Sequence, residues 1–266
     1  MTRLGTAGPL SFRHQRVQRL RRLSRQSSLR DSERAFVLEG AKLVAEALDG
    51  GAGIEAVYLA PGASGPVVDR VLGSGLRVFE LAPGVMERVA DTATPQPIMA
   101  VSSSLDVGLE ALKGQGTVLV CVDVRDPGNL GTVLRSAEAA GAGGIICCDG
   151  SVDVYNPKCV RASAGSLFHT RVVAGGEPLE VLATLGSWGM RRFGTRRSGG
   201  TRYDAADLAG PAAIVLGNES RGLGAEIDEQ VDEWVTIPMA GRTESLNVGM
   251  TAAVLCFEAA RQRSAR

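Results

Sequence analysis

The chain has 266 residues, of which 44% are hydrophobic and 4% aromatic, and its 29 basic and 29 acidic residues balance. This length suits one large domain or two modest ones, with cores packed mainly from Val, Leu and Ala. No apolar run reaches the roughly 18 residues of a membrane span, and no apolar segment follows the basic N-terminus as in a secretory signal. We therefore expect a cytoplasmic protein with no membrane partner.

The cysteines predict neither a disulfide framework nor a metal site. None forms a C-x-x-C pair, and the chain has only two histidines, His14 and His169, so no plausible set of zinc ligands exists. We interpret all five as buried, reduced thiols. They are Cys121, Cys147, Cys148, Cys159 and Cys256.

Residues 1–34 form a basic N-terminal arm on a chain that is neutral as a whole. Its first 30 positions hold no acidic residue and these arginines: Arg3, Arg13, Arg16, Arg19, Arg21, Arg22, Arg25 and Arg30. Val17, Leu20 and Leu23 are spaced for one apolar side of a helix. The pattern is compatible both with a docking helix that has a solvated face and with an arm that contacts phosphates.

Residues 35–102 alternate short apolar runs with helical segments. The predicted strands are 36–40, 54–60, 76–81 and 98–102, and the predicted helices are 41–48, 67–72 and 84–90. This alternation indicates a small mixed α/β sheet. Because the block holds no nucleophile–base pair and no metal-ligand set, we predict that it binds substrate.

Residues 103–116 are polar and glycine-bearing, and we interpret them as a linker to a second α/β block, residues 117–266. The predicted strands are 118–124, 145–148, 171–174 and 190–195, and the predicted helices are 132–140, 156–168 and 179–185. A second basic cluster surrounds the last of these strands: Arg191, Arg192, Arg196, Arg197 and Arg202. Two arginine clusters on a neutral chain favour a nucleic-acid partner.

The first strand–turn–helix unit of this block does not carry a dinucleotide-binding fingerprint. That fingerprint needs G-x-G-x-x-G in the turn, so that backbone amides can approach a pyrophosphate. The turn here offers only Gly128 and Gly131, and Pro127 removes one donor, although Asp149 lies where a ribose-binding acid would stand. A nucleotide-dependent oxidoreductase is therefore disfavoured.

Two apolar runs near the C-terminus stop abruptly in polar, glycine-bearing loops. The run at 212–217 breaks into 218–222, the run at 234–239 breaks into 240–247, and a long apolar helix follows. Ligands of buried α/β sheets bind at the carboxyl ends of strands. The two loops therefore predict one composite site.

Three segments of this block resemble, in order, the signature motifs of the SpoU (TrmH) family of RNA 2′-O-ribose methyltransferases, within the SPOUT class. They are NLGTVLR at 129–135, LGNESRG at 216–222 and IPMAGRTESLNV at 237–248. The resemblance implies a parallel sheet with a deep trefoil knot, S-adenosylmethionine as cofactor, and a homodimer whose site takes residues from both subunits. The preceding block resembles the ribosomal-protein-like RNA-binding domain of many members.

The resemblance also implies which residues contact the cofactor, mainly through backbone groups. The matching positions are Gly217, Ile237 and Leu246, with Leu216 and Met239 as neighbours and Thr195 as a further candidate. The segment after Thr195 is more basic than the family pattern suggests. This departure weakens a cofactor role for Thr195 and favours contact with RNA.

A ribose 2′-OH is a poor nucleophile, so its methylation requires positioning and a proton acceptor. The resemblance implies that Arg135 acts on this hydroxyl. With an ordinary pKa of about 12 or above, an arginine is an unsuitable base, and we interpret its role as orienting the phosphate and the 2′-OH.

Four further residues enter the site through the resemblance. Glu219 is implied to order the loops and the motif-one arginine, and Ser245 and Asn247 are implied to lie beside the substrate and the methionine end of the cofactor. Asn129 is implied to be part of the site as well. Asn129, Ser245 and Asn247 could also cap helices. For Arg221 and Arg242, RNA contact and a subunit interface both stay open.

We predict that the substrate is 23S ribosomal RNA, with resistance to a ribosome-targeting antibiotic as one role compatible with the resemblance. A tRNA ribose methyltransferase is the close alternative. A non-catalytic RNA-binding protein is the alternative from another class. It would be expected to lack some of the matched polar residues, and Arg135, Glu219, Ser245 and Asn247 are all present.

Overall fold

A computed structural model describes residues 8–265 of the chain. Arg3, part of the predicted basic arm, lies outside the described residues. The chain divides into two compact units. The first runs to Leu105 and includes Tyr155–Phe168, and the second consists of Asp106–Val154 and the chain from His169 onward.

The helices, in chain order, are α1 (Gln15–Arg25), α2 (Ser27–Glu33), α3 (Ala41–Asp49), α4 (Pro66–Gly73), α5 (Met86–Val89), α6 (Pro127–Ala139), α7 (Pro157–Ser163), α8 (Pro178–Ser187) and α9 (Val248–Ser264). The strands are β1 (Ala35–Glu39), β2 (Ile54–Leu59), β3 (Val78–Glu80), β4 (Ile98–Ser103), β5 (Thr117–Cys121), β6 (Gly144–Cys147), β7 (Val172–Ala174), β8 (Arg191–Thr195), β9 (Thr201–Arg202), β10 (Ala212–Leu216) and β11 (Glu233–Thr236). Within residues 8–265, no helix has the length and apolar character that crossing a bilayer requires.

The first unit is built on a four-stranded sheet in the order β1-β4-β2-β3. Strand β4 pairs antiparallel with β1 and β2, whereas β2 and β3 are parallel. The predicted mixed sheet is therefore confirmed.

Helix α1 packs on this sheet through the apolar side that its spacing predicts. Val17, Leu20 and Leu23 are fully buried in the same cluster as Tyr58 and Val101. Burying each of these three side chains contributes about 1.5–3 kcal/mol. Within the basic arm, α1 is thus a docked helix, and its other faces carry arginines.

The segment Tyr155–Phe168 belongs to the first unit although it follows β6 in sequence. The Tyr155 ring lies 4.6 Å from that of Phe36, and its hydroxyl accepts a hydrogen bond from the Leu105 N–H at 2.7 Å. The single helix predicted over 156–168 is wrong. Helix α7 ends at Ser163 because Ala164 and Gly165 adopt positive φ angles of 54° and 108°.

The second unit is built on a seven-stranded sheet in the order β7-β6-β5-β10-β8-β11-β9, and all of its pairs are parallel. The central strands β5 and β10 are buried along their whole length, as expected for a sheet that is covered on both faces. The carboxyl ends of β5, β8, β10 and β11 therefore meet at one edge. This arrangement confirms the predicted parallel α/β sheet.

The five cysteines are free and buried, as predicted. Burial raises the pKa of Cys148 and of Cys256 to about 12, so both thiols are protonated at neutral pH.

Candidate active site

A cavity of about 470 Å³ opens in the second unit at the carboxyl edge of the sheet. The two polar loops predicted to share a site both line it, together with the segment that follows β8. Five of the six predicted cofactor residues lie in its wall: Thr195, Gly217, Ile237, Met239 and Leu246.

Gly217 directly follows β10, at the point where the chain folds back on itself. The N–H of Asn218 donates to the Gly222 carbonyl at 3.0 Å, and the reverse bond is 2.9 Å long. A Cβ atom at Gly217 would meet the Gly222 carbonyl oxygen and the Leu223 nitrogen at 2.6 Å. A glycine is therefore required for this tight return, which exposes backbone groups to the cavity.

Leu216 does not line the cavity. It pairs with Cys121 inside the sheet and its side chain is fully buried, so its direction along the strand places it in the core. Thr195 does line the cavity, but its hydroxyl donates to the Val215 carbonyl at 3.0 Å and ties β8 to β10.

Glu219 connects the loop after β10 to the start of α6. One carboxylate oxygen accepts from the Asp126 N–H at 3.0 Å and from the Asn129 amide at 3.2 Å, and the other accepts from the Arg125 N–H at 3.3 Å. Partial burial raises the pKa of this carboxyl, but these donors outweigh it, so the pKa lies below the ordinary value. Glu219 is therefore ionised at neutral pH.

Asn129 stands at the third position of α6 and does not cap it. Asp126 is the cap, because its side chain accepts from the Asn129 N–H at 2.8 Å. The interpretation of Asn129 as a possible cap is wrong since α6 begins at Pro127, five residues before the predicted start. The Asn129 side chain is instead free to donate to Glu219.

Arg135 lies on the same helix, exposed, and does not line the cavity. Within residues 8–265 its side chain makes no hydrogen bond or ion pair, so the contact with Glu219 that the resemblance implies is not formed.

Of the two possible caps for α9, Asn247 is the cap, accepting from the Met250 N–H at 2.8 Å. Ser245 lines the cavity.

The basic cluster around β8 divides between opposite edges of the sheet. Arg191 and Arg192, at the amino end, pair with Glu233 at 2.8 Å and Asp232 at 2.7 Å. Arg196 and Arg197, beyond the carboxyl end, line the cavity.

Sequence reasoning missed Trp234 as part of the cavity wall. The Arg196 guanidinium stacks over the Trp234 ring at 4.8 Å. A Cβ at Gly194 would meet this ring at 2.8 Å. The sequence signal for Trp234 was its position as an aromatic residue at the start of the apolar run 234–239, which stops in a polar loop.

We expect Glu219→Gln to lower the free energy of unfolding by about 1–3 kcal/mol at pH 7, because an amide presents one acceptor and directs N–H groups toward backbone donors. A carboxyl whose folded pKa is lowered stabilises the fold above its unfolded pKa of about 4.3 and loses this contribution as pH falls through the folded pKa. Urea unfolding should therefore show a gap between wild type and variant that is constant near neutrality and narrows in acid.

The matched control is Glu229→Gln, an exposed acid without a side-chain partner in the described part of the chain. Equal stabilities for the Glu219 and Glu229 variants would contradict the role given to Glu219.

Comparison with known proteins places these features among ribosomal RNA methyltransferases. Residues 116–257 match the family described as "SpoU rRNA Methylase family", and residues 14–100 match the "MRM3-like substrate binding domain". The 23S rRNA (guanosine(2553)-2′-O)-methyltransferase of Bacillus subtilis is 32% identical over 93% of this chain and 96% of its own length.

Two solved structures share the whole architecture. An rRNA methyltransferase from Sinorhizobium meliloti superposes with a TM-score of 0.85 at 30% identity, covering 97% of this chain and 98% of that one. The SpoU methyltransferase AviRb from Streptomyces viridochromogenes, in complex with AdoMet, gives a TM-score of 0.85 at 28% identity over 95% and 99%.

Proposed function

We propose that this chain, which belongs to the SpoU rRNA methylase family, transfers a methyl group from S-adenosylmethionine to a ribose 2′-OH of 23S ribosomal RNA. It is an S-adenosylmethionine-dependent RNA 2′-O-ribose methyltransferase. The observation that carries the proposal is the cavity in which Gly217, from the loop after β10, stands together with Ile237 and Leu246, from the loop after β11.

The residues present fit this cofactor. The cavity volume is within the range of small-molecule sites, and the tight return at Gly217, which leaves no room for a Cβ, is part of the cavity wall. When bound, S-adenosylmethionine supplies an electrophilic methyl group on a sulfonium. We propose that Gly217, Ile237 and Leu246 hold it through their backbone groups, with Met239 and Trp234 covering apolar parts.

The polar residues have separate tasks in this proposal. Arg135 orients the RNA phosphate and the 2′-OH, for which a planar guanidinium is well suited. Glu219 and Asn129 fix the start of α6 against the loop after β10. Asn247 fixes the start of α9, and Ser245 faces the cavity from the preceding loop.

We also infer the trefoil knot that the family resemblance implies. The loops 217–223 and 237–246 come from different parts of the chain but line one cavity, which supports the inference. The C-terminal segment would then pass through a loop of the same domain before α9 begins.

We infer that the protein is a homodimer and that α9 contributes to its interface. Met250 and Phe257, seven residues apart on this helix, are 54% and 53% exposed, with half-buried Ala253 and Val254 between them. An exposed apolar stripe of this kind is typical of a helix that packs against a partner. The opposite side of α9 lies against α6, where a Cβ at Gly249 would meet Thr132 at 2.8 Å.

Replacing Phe257 by glutamate is expected to give a monomer of 27.7 kDa by light scattering, because a carboxylate would be buried in an apolar interface. Phe257→Leu keeps the apolar face and should keep twice that mass. A wild-type protein that is monomeric at micromolar concentration would exclude the homodimer.

We propose that exposed arginines on and before α1 contact RNA phosphates. Arg19 is held by Glu33 and Glu55 at 2.5 and 2.7 Å and Arg30 is buried, whereas Arg13, Arg22 and Arg25 are exposed. These three make no ion pair within residues 8–265. They also lie outside the apolar side of the helix, so their replacement leaves the core intact.

The triple change of Arg13, Arg22 and Arg25 to alanine is expected to flatten the salt dependence of RNA binding by about 0.7–0.9 in log–log slope for each phosphate that is no longer bound. Filter binding to a 23S rRNA transcript between 50 and 200 mM salt, about the range in which such contacts dominate, measures the slope. Arg70→Ala, whose guanidinium is paired with Asp49 at 2.7 Å, is the control. Identical salt slopes for the wild type, the triple variant and Arg70→Ala would mean that these three arginines do not contact RNA phosphates.

The reaction itself is tested by incubating total RNA with methyl-labelled cofactor and mapping the modified nucleotide. We expect label in a ribose of 23S rRNA. Label in tRNA would favour the alternative substrate, and label in a base or none at all would reject the proposed reaction. We infer a cytoplasmic location from the substrate, and a role in antibiotic resistance stays a prediction.

A further inference from the structure

Two exposed arginines converge on one carboxylate beside the cavity. The Nε atom of Arg125 lies 2.6 Å from one oxygen of Asp123, and an Nη atom of Arg221 lies 2.7 Å from the other. The arginine side chains are 65% and 70% exposed, whereas Asp123 is 24% exposed. Arg221 also lines the cavity.

The backbone around Asp123 is fixed by the neighbouring loop. Asp123 has a φ of 55°, a left-handed conformation that a non-glycine residue keeps only when its surroundings hold it. Its carbonyl accepts from the Asn218 side chain at 2.9 Å. The oxygen of that same amide accepts from the N–H groups of Ser220 and Arg221 at 3.0 and 3.1 Å. The Asn218 side chain therefore fixes the backbone of both residues in the ion pair, Asp123 and Arg221.

The hydrogen-bond donors of the two guanidinium groups are only partly used. Arg125 binds Asp123 through Nε, which leaves both of its amino groups, and Arg221 binds through one amino group, which leaves Nε and the other. Within the described part of the chain they meet no other acceptor. The carboxylate of the neighbouring Glu219 is already engaged by the start of α6.

The charge of this group matches one phosphodiester. The hydrogen bond from Arg125, opposed by partial burial and reinforced by Arg221, lowers the pKa of Asp123, so the carboxylate is ionised at neutral pH. Two guanidinium groups against one carboxylate leave a single positive charge. Guanidinium N–H groups form short, charge-assisted hydrogen bonds with phosphate oxygens.

We propose that Arg125 and Arg221, held in place by Asp123, bind a backbone phosphate of the RNA next to the nucleotide that is methylated. Asp123 is then a positioning residue that acts through the two arginines. This inference rests on the proposed function, because its ligand is the phosphodiester of the substrate RNA. The contact would hold the target ribose at the mouth of the cavity, on the side of Arg221.

The test uses the full-length protein, a 23S rRNA transcript and the variants Arg125→Ala, Arg221→Ala and Asp123→Asn. Each arginine variant should raise the KM for RNA about 10-fold and reduce the salt slope by about 0.7–0.9, with an unchanged Kd for S-adenosylmethionine. Arg191→Ala is the matched control, because this arginine pairs with Glu233 at the opposite edge of the sheet. It should leave the KM and the slope unchanged.

The variant Asp123→Asn shows whether Asp123 acts by positioning the two arginines or only by its negative charge. Removing a negative charge should tighten RNA binding if only net charge matters, whereas loss of the anchor should raise the KM for RNA several-fold. Tighter binding with unchanged turnover, or arginine variants that behave like Arg191→Ala, would overturn the inference. A wild-type enzyme that methylates no RNA would instead overturn the proposed function, so the two failures are distinguishable.

Discussion

Arg135→Ala is expected to reduce methyl transfer by about 10²–10³-fold, the effect of removing one well-placed hydrogen-bond donor from a reacting centre, while S-adenosylmethionine still binds. Arg135 is exposed on α6, lies outside the cavity wall and makes no side-chain bond within residues 8–265. Its removal therefore neither reshapes the cavity nor leaves a described carboxylate unpaired. Single-turnover methylation and calorimetric titration of the cofactor measure the two effects separately.

Two control variants show whether the guanidinium itself matters. Arg135→Lys keeps the charge but loses the planar fork, so it should recover only a small part of the rate. Glu138→Ala, one turn further along α6, should retain full activity because Glu138 is an exposed residue without a side-chain contact in the described chain. Near-normal turnover in Arg135→Ala would show that Arg135 does not take part in methyl transfer.

Local sequence pattern located the central strands of the second unit, whereas the parallel sheet was implied by the family resemblance. Strands β5 and β10 are continuous apolar runs, as the two-sided burial of a central parallel strand demands, and each ends at a polar, glycine-bearing turn. For the same reason the cavity could be predicted at the ends of these runs. The helical spacing of Val17, Leu20 and Leu23 likewise identified the buried side of α1.

Contacts between distant residues could not be read in the same way. The placement of Tyr155–Phe168 in the first unit depends on the packing of Tyr155 against Phe36, which no local period encodes. Likewise, Glu219 bonds the start of α6 some ninety residues earlier in the chain, and Asp126 replaces Asn129 as cap. The family motifs marked these positions but did not specify their hydrogen-bond partners.

Gly217→Ala is expected to weaken S-adenosylmethionine binding by about 5- to 150-fold. The added Cβ would stand 2.6 Å from the Gly222 carbonyl oxygen and the Leu223 nitrogen, and backbone atoms cannot rotate away as a side chain can. Relieving such a contact costs about 1–3 kcal/mol and must displace the return of the loop that lines the cavity. Calorimetric titration of the cofactor measures the loss.

The matched control is Gly210→Ala, on the N-terminal side of β10. Gly210 precedes β10, has no heavy atom within 4 Å of an added Cβ and does not have a positive φ. Gly210→Ala should therefore bind the cofactor like wild type. Equal affinities for both alanine variants would mean that the loop after β10 does not form the cofactor site.

Mixing the two defective proteins tests which subunit supplies each residue. If Arg135 serves the cavity of the partner subunit, a heterodimer of Arg135→Ala and Gly217→Ala holds one site with both residues intact. Random pairing makes half of the dimers mixed, so about a quarter of wild-type activity should return after joint refolding. If both residues serve the cavity of their own chain, every site in the mixture carries a defect, and no activity returns. The exposed position of Arg135, outside the cavity of its own chain, favours the first outcome.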